Sequence, residues 1–308
     1  MERVPCDFCG SVAGRIVARG QDRQLDGDET FFYIQCAGCG LIRLDPRPAK
    51  QEMHKYYPAN YAPYNTAQTM DRDRVQQALF RRYQAKKCRF VERWKPQGRV
   101  LDVGCATGEF LAAMKERGWE TTGVELTPQV AAVARQQYGL DVLEGDFVSA
   151  SLPAETFDVI TMWDVLEHTY SPTAVLTKCH ELLVPGGFLL ITLPNLESFD
   201  ARLFGAYWSG LDFPRHLYVF PTHILRAILT QVGFQWQTKK CVAGSYGAWA
   251  LSLKALIRAR LPRSDSGKRT DGGSELVWRL ISKPYLWFAD LLSRGSQATV
   301  VCQKPLRV

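Results

Sequence analysis

Arg99-Val100-Leu101-Asp102-Val103-Gly104-Cys105-Ala106-Thr107-Gly108 decides the fold. A short apolar run ends in a glycine turn and opens onto a helical pattern, which predicts a buried strand feeding a helix N-terminus. Such a turn brings backbone N–H groups and the positive end of a helix dipole up to a ligand. It is not the dinucleotide fingerprint, because G-x-G-x-x-G is absent here. From residue 99 onward short apolar strands alternate with amphipathic helices, the pattern of an α/β domain with a mostly parallel sheet. Strands read at 99–104, 119–125, 140–144, 157–163 and 187–193, with two late ones near 234–242 and 297–303. Helices read near 108–117, 128–138, 172–183 and 222–232.

Acids and aromatics recur where these strands end. Glu125 closes the second strand, where a carboxylate can accept both hydroxyls of a ribose. Asp146 follows the third strand within Glu144-Gly145-Asp146-Phe147, placed to meet an adenine amino group with Phe147 stacking nearby. Trp163-Asp164 closes the fourth strand. All lie at the carboxyl ends of neighbouring strands, where open α/β sheets bind ligands. Two histidines follow the fourth and fifth strands: His168, after Asp164-Val165-Leu166-Glu167, and His216, in Pro214-Arg215-His216-Leu217-Tyr218. Either can serve as a general base. The structural alternatives are that His168 caps the helix beginning near Ser171 and that His216 packs beside Arg215.

Working toward the N-terminus, Cys6-Asp7-Phe8-Cys9-Gly10 and Cys36-Ala37-Gly38-Cys39-Gly40 form two matching C-x-x-C-G hooks. Between them Phe31-Phe32-Tyr33-Ile34 reads as a strand. Paired hooks supply four thiolates, as a closed structural Zn²⁺ site requires, so Cys6, Cys9, Cys36 and Cys39 are the expected metal ligands. A redox C-x-x-C would open a helix after a strand, and neither hook does. A connector follows, marked by Pro46, Pro48 and Pro58 and carrying Tyr56, Tyr57, Tyr61 and Tyr64. A basic helix then spans roughly 71–94 and ends at Pro96-Gln97-Gly98.

The stretches VLDVGCATGEFL, GVEL, GDF, FDVITMWDVLEH and ELLVPGGFLLITLPN, in this order, resemble the class I S-adenosylmethionine-dependent methyltransferases, of the methyltransferase-domain-23-like type. The one departure is Ala106, where that family often has a third glycine. The resemblance implies a seven-stranded Rossmann-like α/β sheet of order 3-2-1-4-5-7-6. It also implies that S-adenosylmethionine is the cofactor and S-adenosylhomocysteine the product. The cofactor-binding set it implies is Asp102, Gly104, Cys105, Gly108, Glu125, Leu126, Asp146, Phe147 and Trp163, with His168, His216 and Asp164 as the catalytic candidates. Asp164-x-x-Glu167-His168 also resembles the Glu-x-x-Glu-His metal motif of ubiquinone-pathway O-methyltransferases, with an aspartate one methylene shorter in first place. GLIRLDPRP, YYPANY and PRHLYVFPTHILRAILTQVGF resemble a bacterial subgroup with an N-terminal zinc module, similar to sugar C-methyltransferases. Those enzymes carry an additional C-terminal domain not found in this chain.

These readings divide the 308 residues into a zinc module (1–50), a connector with the basic helix (51–95), a methyltransferase core (96–243 and 295–308) and a helical insertion (244–294). Nine cysteines with no secretory leader and no apolar run of membrane-spanning length predict a cytoplasmic protein with reduced thiols. The net charge of +7 is concentrated: residues 71–95 carry +6 and residues 254–294 carry +5, leaving the rest net negative. Small-molecule or glycan methylation is the expected function. RNA methylation is the alternative, disfavoured because the fourth-strand loop lacks an N/D-P-P-Y-type motif and the basic segments lack interleaved aromatics. A non-catalytic scaffold is the third reading, against which the cofactor residues stand.

Within the insertion, 275–292 has helical periodicity: Val277, Leu280/Ile281, Trp287/Phe288 and Leu291/Leu292, with Pro284 expected to kink or divide it. Arg279, Lys283 and Arg294 flank the stripe, and Lys254, Arg258, Arg260 and Arg263 precede it. A lid over the substrate cleft would bury Trp278 and Trp287; a helix lying on an anionic membrane would leave them exposed.

Overall fold

The computed structural model describes residues 1–23, 25, 28–57, 74–242, 245–260 and 275–307. Of the residues named above, Pro58, Tyr61, Tyr64 and Arg263 lie outside the described residues, as do the starts of the basic helix (71–73) and of the insertion (244) and the side chains of Val277 and Arg279. The first elements are β1 (Gly14–Gln21), β2 (Thr30–Cys36), β3 (Ile42–Leu44), α1 (Arg74–Glu92), β4 (Arg99–Val103), α2 (Glu109–Lys115) and β5 (Glu120–Glu125). Next come α3 (Pro128–Tyr138), β6 (Asp141–Glu144), β7 (Phe157–Trp163), α4 (Pro172–Leu182), β8 (Leu183–Pro194) and α5 (Phe199–Phe204). The chain ends through β9 (Tyr218–Val219), α6 (Thr222–Val232), β10 (Gln235–Lys240), α7 (Tyr246–Arg260), α8 (Glu275–Leu291) and β11 (Gln297–Gln303). Two compact units result: Met1–Arg47 with Pro194–Ile224 and Lys239–Ala298, and Pro48–Leu193 with Leu225–Thr238 and Thr299–Val308.

The larger sheet runs β10-β11-β8-β7-β4-β5-β6, which read from its other edge is the expected 3-2-1-4-5-7-6. Strands β4, β5, β6, β7 and β8 pair in parallel. Leu101 of β4, Val159, Ile160 and Met162 of β7, and Leu189, Leu190 and Ile191 of β8 are fully buried. Strands covered on both faces read as continuous apolar runs, which is why the sequence pattern found them. β11 runs antiparallel to β8: Gly186 N–H donates to Lys304 and Lys304 N–H to Gly187, while Asn195 N–H at the far end donates to Ser296. β8 begins four residues before the predicted 187. Against β7 the pairing jumps from Phe157–Leu183 to Val159–Phe188, so Pro185-Gly186-Gly187 stand in an irregularity of the strand, where Gly186 takes φ +82°.

The second sheet is smaller, ordered β1-β2-β3-β9, and antiparallel throughout. β2 alternates inward Phe31 and Tyr33 with less buried neighbours, the period of a half-covered strand. Its fourth strand, β9, was not legible in advance because two residues carry no periodicity. Beside β9, Arg215 is wholly buried, and its guanidinium donates to Asp22 at 2.7 and 2.8 Å and to Asp212 at 2.8 and 2.9 Å. A buried cation needs paired acceptors of this kind.

The insertion differs from expectation. It holds two helices, α7 and α8, where the periodicity indicated one, and α8 continues undivided through Pro284. Trp278 is 43% exposed and Trp287 66%, so the burial expected of a lid is not found. The inward side of α8 instead carries Ser282, Leu286 and Ala289. No described helix is long and apolar enough to cross a membrane.

Candidate active site and candidate metal centre

The turn after β4 uses three left-handed residues, Gly104 (φ +71°), Ala106 (φ +48°) and Gly108 (φ +85°). A Cβ at position 104 would stand 2.7 Å from Val165 of the loop after β7, so glycine there lets the two loops close on each other. Ala106 occupies a region that costs an L-residue about 1–2 kcal/mol. Its N–H compensates by donating to Glu125 Oε2 at 3.0 Å. Ala106→Gly should therefore raise stability by roughly 0.5–1 kcal/mol after the entropy of glycine is subtracted, read as a higher thermal midpoint.

Glu125 ends β5, is buried, and is held from both sides, since Thr127 N–H donates to its Oε1 at 2.9 Å. Burial raises its carboxyl above the usual range, against the pull of the Thr127 and Ala106 amides. Each oxygen keeps a lone pair for a further donor. Leu126 beside it is exposed. Asp146, after β6, accepts from Val148 N–H and from Lys50 Nζ. Burial opposes its ionisation, but the Lys50 pairing prevails and holds it below the ordinary aspartate value. Phe147 is buried, with Lys178 Nζ 5.8 Å from its ring centroid. Trp163 ends β7 edge-to-face on Phe110, and its buried Nε1 has no hydrogen-bond acceptor among the described residues. Cys105 is buried and its thiol pushed up by burial, which leaves it inert.

Beneath these groups lies a charge cluster that sequence reasoning only half found. Asp102 is buried and accepts from Thr161 Oγ1 at 2.6 Å; burial pushes it up to about 7 despite that bond and the nearby Lys87. Asp164, at φ +59°, is pushed up to about 6 by burial, again opposed by Lys87. Glu167 is buried with neither carboxylate oxygen hydrogen-bonded among the described residues, and burial together with Asp164 holds it well above the glutamate range. Lys87 of α1, itself buried, has Nζ 4.5 Å from the Trp163 ring centroid and 4.8 Å from that of Tyr83. Burial lowers its pKa, while Asp102 and Asp164 oppose that shift. The signal missed was position. Gln84, Lys87, Cys88 and Val91 share the inward face of α1, so this lysine sat on the buried stripe of a helix read only for its basic charge.

Tyr57 is the other residue passed over. The segment after Pro48 lies along this sheet edge: Tyr170 Oη donates to the Pro48 carbonyl at 2.9 Å, Lys50 reaches Asp146, and Tyr57 Oη is 3.1 Å from His168 Nδ1. His168 is thus engaged by a tyrosine. The α4 helix that it was offered as capping starts from Ser171 without a side-chain cap bond. His216 belongs to the other unit, where it is buried with Nδ1 3.0 Å from the Gly210 carbonyl. A carbonyl only accepts, so Nδ1 carries the hydrogen, and in the neutral ring that burial favours Nε2 is the basic nitrogen.

The four hook cysteines come together in that same unit. Their sulfurs all lie within 4.8 Å of one another, with Cys6–Cys39 and Cys9–Cys36 at 3.5 Å, and none forms a disulfide. Burial raises the Cys36 thiol, but amide donors at Cys39 and Gly38 outweigh it and bring it down to about 6. Thiolates at this spacing fit a tetrahedral ion with metal–sulfur bonds of about 2.3 Å. The cluster could bind a metal.

A mostly parallel sheet of this order, with one antiparallel strand, a glycine turn after its first strand and a buried acid closing its second, defines a class I S-adenosylmethionine-dependent methyltransferase. The chain belongs to that family: the family model described as a methyltransferase domain, Methyltransf_23, matches residues 75–239. It is 30% identical over 168 residues to the ubiquinone biosynthesis O-methyltransferase of Cereibacter sphaeroides strain KD131, covering 51% of this chain and 68% of that one. The enzyme of the same name from Xanthomonas axonopodis pv. citri is 31% identical over 156 residues, covering 46% and 65%. The crystal structure of the [4+2]-cyclase SpnF matches with a TM-score of 0.52 at 20% identity, covering 85% of this chain and 99% of that one. That likeness shows the fold alone; the family match is what makes this chain a methyltransferase that uses S-adenosylmethionine.

Proposed function

We propose that the chain transfers a methyl group to a hydroxyl of a small-molecule acceptor. The observation that supports this reading is that Glu125 and Trp163 end β5 and β7 while Asp146 and His168 come after β6 and β7, all at the carboxyl edge of one set of parallel strands in one unit. The similarity to O-methyltransferases of ubiquinone biosynthesis supports a small acceptor and an oxygen nucleophile. When bound, S-adenosylmethionine supplies an electrophilic methyl on a sulfonium.

The residues present fit that cofactor. Glu125 offers a fixed carboxylate for the ribose hydroxyls. Asp146 offers one for the adenine amino group once Lys50, whose side chain is exposed, gives way. The Trp163 indole N–H, without an acceptor among the described residues, is a donor for the cofactor, and Phe147 supplies an aromatic wall. Lys87 balances Asp102 and Asp164 so that this acidic edge does not repel an incoming carboxylate. Cys105, Gly104 and Gly108 shape the turn, and Leu126 flanks the ribose position. His168 takes the acceptor's proton at Nε2 when Nδ1 donates to Tyr57 Oη. Cys6, Cys9, Cys36 and Cys39 hold one Zn²⁺ with no open position, in a structural role.

Glu125→Ala should weaken S-adenosylmethionine binding by roughly 10- to 100-fold, since charge-assisted hydrogen bonds contribute about 1.5–3 kcal/mol each. Calorimetry on the purified chain checks it, and unchanged affinity would move the cofactor elsewhere. The acceptor class is tested by radiolabelled methyl transfer to phenolic, glycan, lipid and RNA fractions. Label confined to RNA would sink the small-molecule reading.

A further inference from the structure

Helix α8 is amphipathic in the wrong sense for a helix covering a core. Its inward side is fastened by polar and small groups: Tyr285 Oη donates to Asp200 Oδ1 at 2.5 Å, Ser245 Oγ donates to Asp290 Oδ1 at 2.7 Å, and Ser282, Leu286 and Ala289 are buried. The opposite side presents Leu280, Ile281, Pro284, Trp287, Phe288, Leu291 and Leu292 to solvent. At 100° per residue these seven fall within one arc of the wheel, Trp278 lying just beyond it. Single exposed apolar side chains need no explanation, but a contiguous aromatic and aliphatic face does.

The neighbouring helix and the edge of this face carry exposed basic side chains. Lys254, Arg258 and Arg260 are exposed on α7, which packs against α8, and Lys283 is exposed at the stripe's edge. Residues 254–294 carry nine Lys/Arg against four Asp/Glu. One of those four acids, Asp290, is turned to Ser245. The intervening sequence 261–274, Leu-Pro-Arg-Ser-Asp-Ser-Gly-Lys-Arg-Thr-Asp-Gly-Gly-Ser, contains no bulky apolar side chain besides Leu261. A second copy of the chain would bring the same positive charge to meet itself.

We propose that α8 with the C-terminal half of α7 is a docking surface for an anionic lipid bilayer, lying in the headgroup region without crossing it. Tryptophan and phenylalanine on one side and lysine and arginine at the rim are the composition an interfacial helix needs. α8 has 17 residues and no described helix can span. Each basic residue contributes about 1 kcal/mol near an anionic surface, a factor of about five in partitioning.

The test uses the full chain and large unilamellar vesicles of phosphatidylcholine alone or mixed equally with phosphatidylglycerol. The chain should co-sediment with the mixed vesicles at low ionic strength, release as salt rises, and ignore phosphatidylcholine. Trp287→Ser combined with Phe288→Ser should reduce partitioning at least tenfold. Lys254→Gln combined with Arg258→Gln should reduce it about 25-fold. All four side chains are exposed, so circular dichroism and S-adenosylmethionine affinity should stay as in the unsubstituted chain. Absence of partitioning, or partitioning indifferent to both pairs of substitutions, overturns the proposal. A concentration-dependent dimer that Trp287→Ser dissociates would also overturn it by giving the face to a second copy.

Discussion

Cys36→Ser should empty the metal site and unfold the β1-β2-β3 sheet while the β4-to-β8 sheet stays folded. Structural zinc contributes on the order of 10 kcal/mol in small zinc domains, comparable to the whole stability of an ordinary domain. Each hook closes on itself through two backbone bonds: Gly10 N–H to the Cys6 carbonyl and Cys6 N–H to the Ser11 carbonyl in the first, Gly40 N–H to the Cys36 carbonyl and Cys36 N–H to the Leu41 carbonyl in the second. An ion held by all four sulfurs would tie one to the other. A serine hydroxyl does not ionise at neutral pH, and three remaining thiolates leave an open position. Metal analysis should find one Zn²⁺ per unsubstituted chain and less in the variant. Hydrogen exchange should lose protection across Thr30–Cys36 but not Phe157–Trp163. A strong chelator should reproduce the same pattern. Purified protein without stoichiometric zinc would end this reading of the hooks.

His168→Ala should lower turnover by about 10²–10⁴ with cofactor affinity nearly intact, the range for loss of a positioned general base. Tyr57→Phe should act in the same direction but less, because it removes the partner that holds Nδ1 and leaves Nε2 in place. His216→Ala is the parallel arm. Its Nε2 is also basic, but truncation strands the Gly210 carbonyl, so a stability loss of about 1–3 kcal/mol is expected alongside any kinetic effect. Single-turnover rates measured with saturating cofactor separate the two. Full activity in both histidine variants would leave the acceptor to lose its proton to water and return both rings to packing.

Much of the site was legible because it is local. Glu125 and Asp146 could be placed from the strand that precedes each, since side chains at the carboxyl ends of parallel strands share one edge. The two cysteine hooks announced themselves by spacing alone. Lys87, Lys50 and Tyr57 were not legible, because each reaches its partners across long sequence separations: Lys50 to Asp146, Tyr57 to His168, Lys87 to Asp164. Composition marked α1 as basic; only packing distinguished the one lysine turned inward from the arginines left in water.

The sequence alone determined the parallel sheet, its glycine turn, the acids at the strand ends and the paired hooks, because each rests on a short-range period or spacing. Tertiary structure decided which faces those elements turn inward. The periodicity of α8 marked an apolar stripe correctly but could not say which side meets protein. Ser282, Leu286 and Ala289 pack closely while Asp200 and Ser245 anchor Tyr285 and Asp290, so the bulky stripe is left outside. A helical wheel fixes angles between side chains; what stands opposite each is a long-range fact set by the rest of the fold.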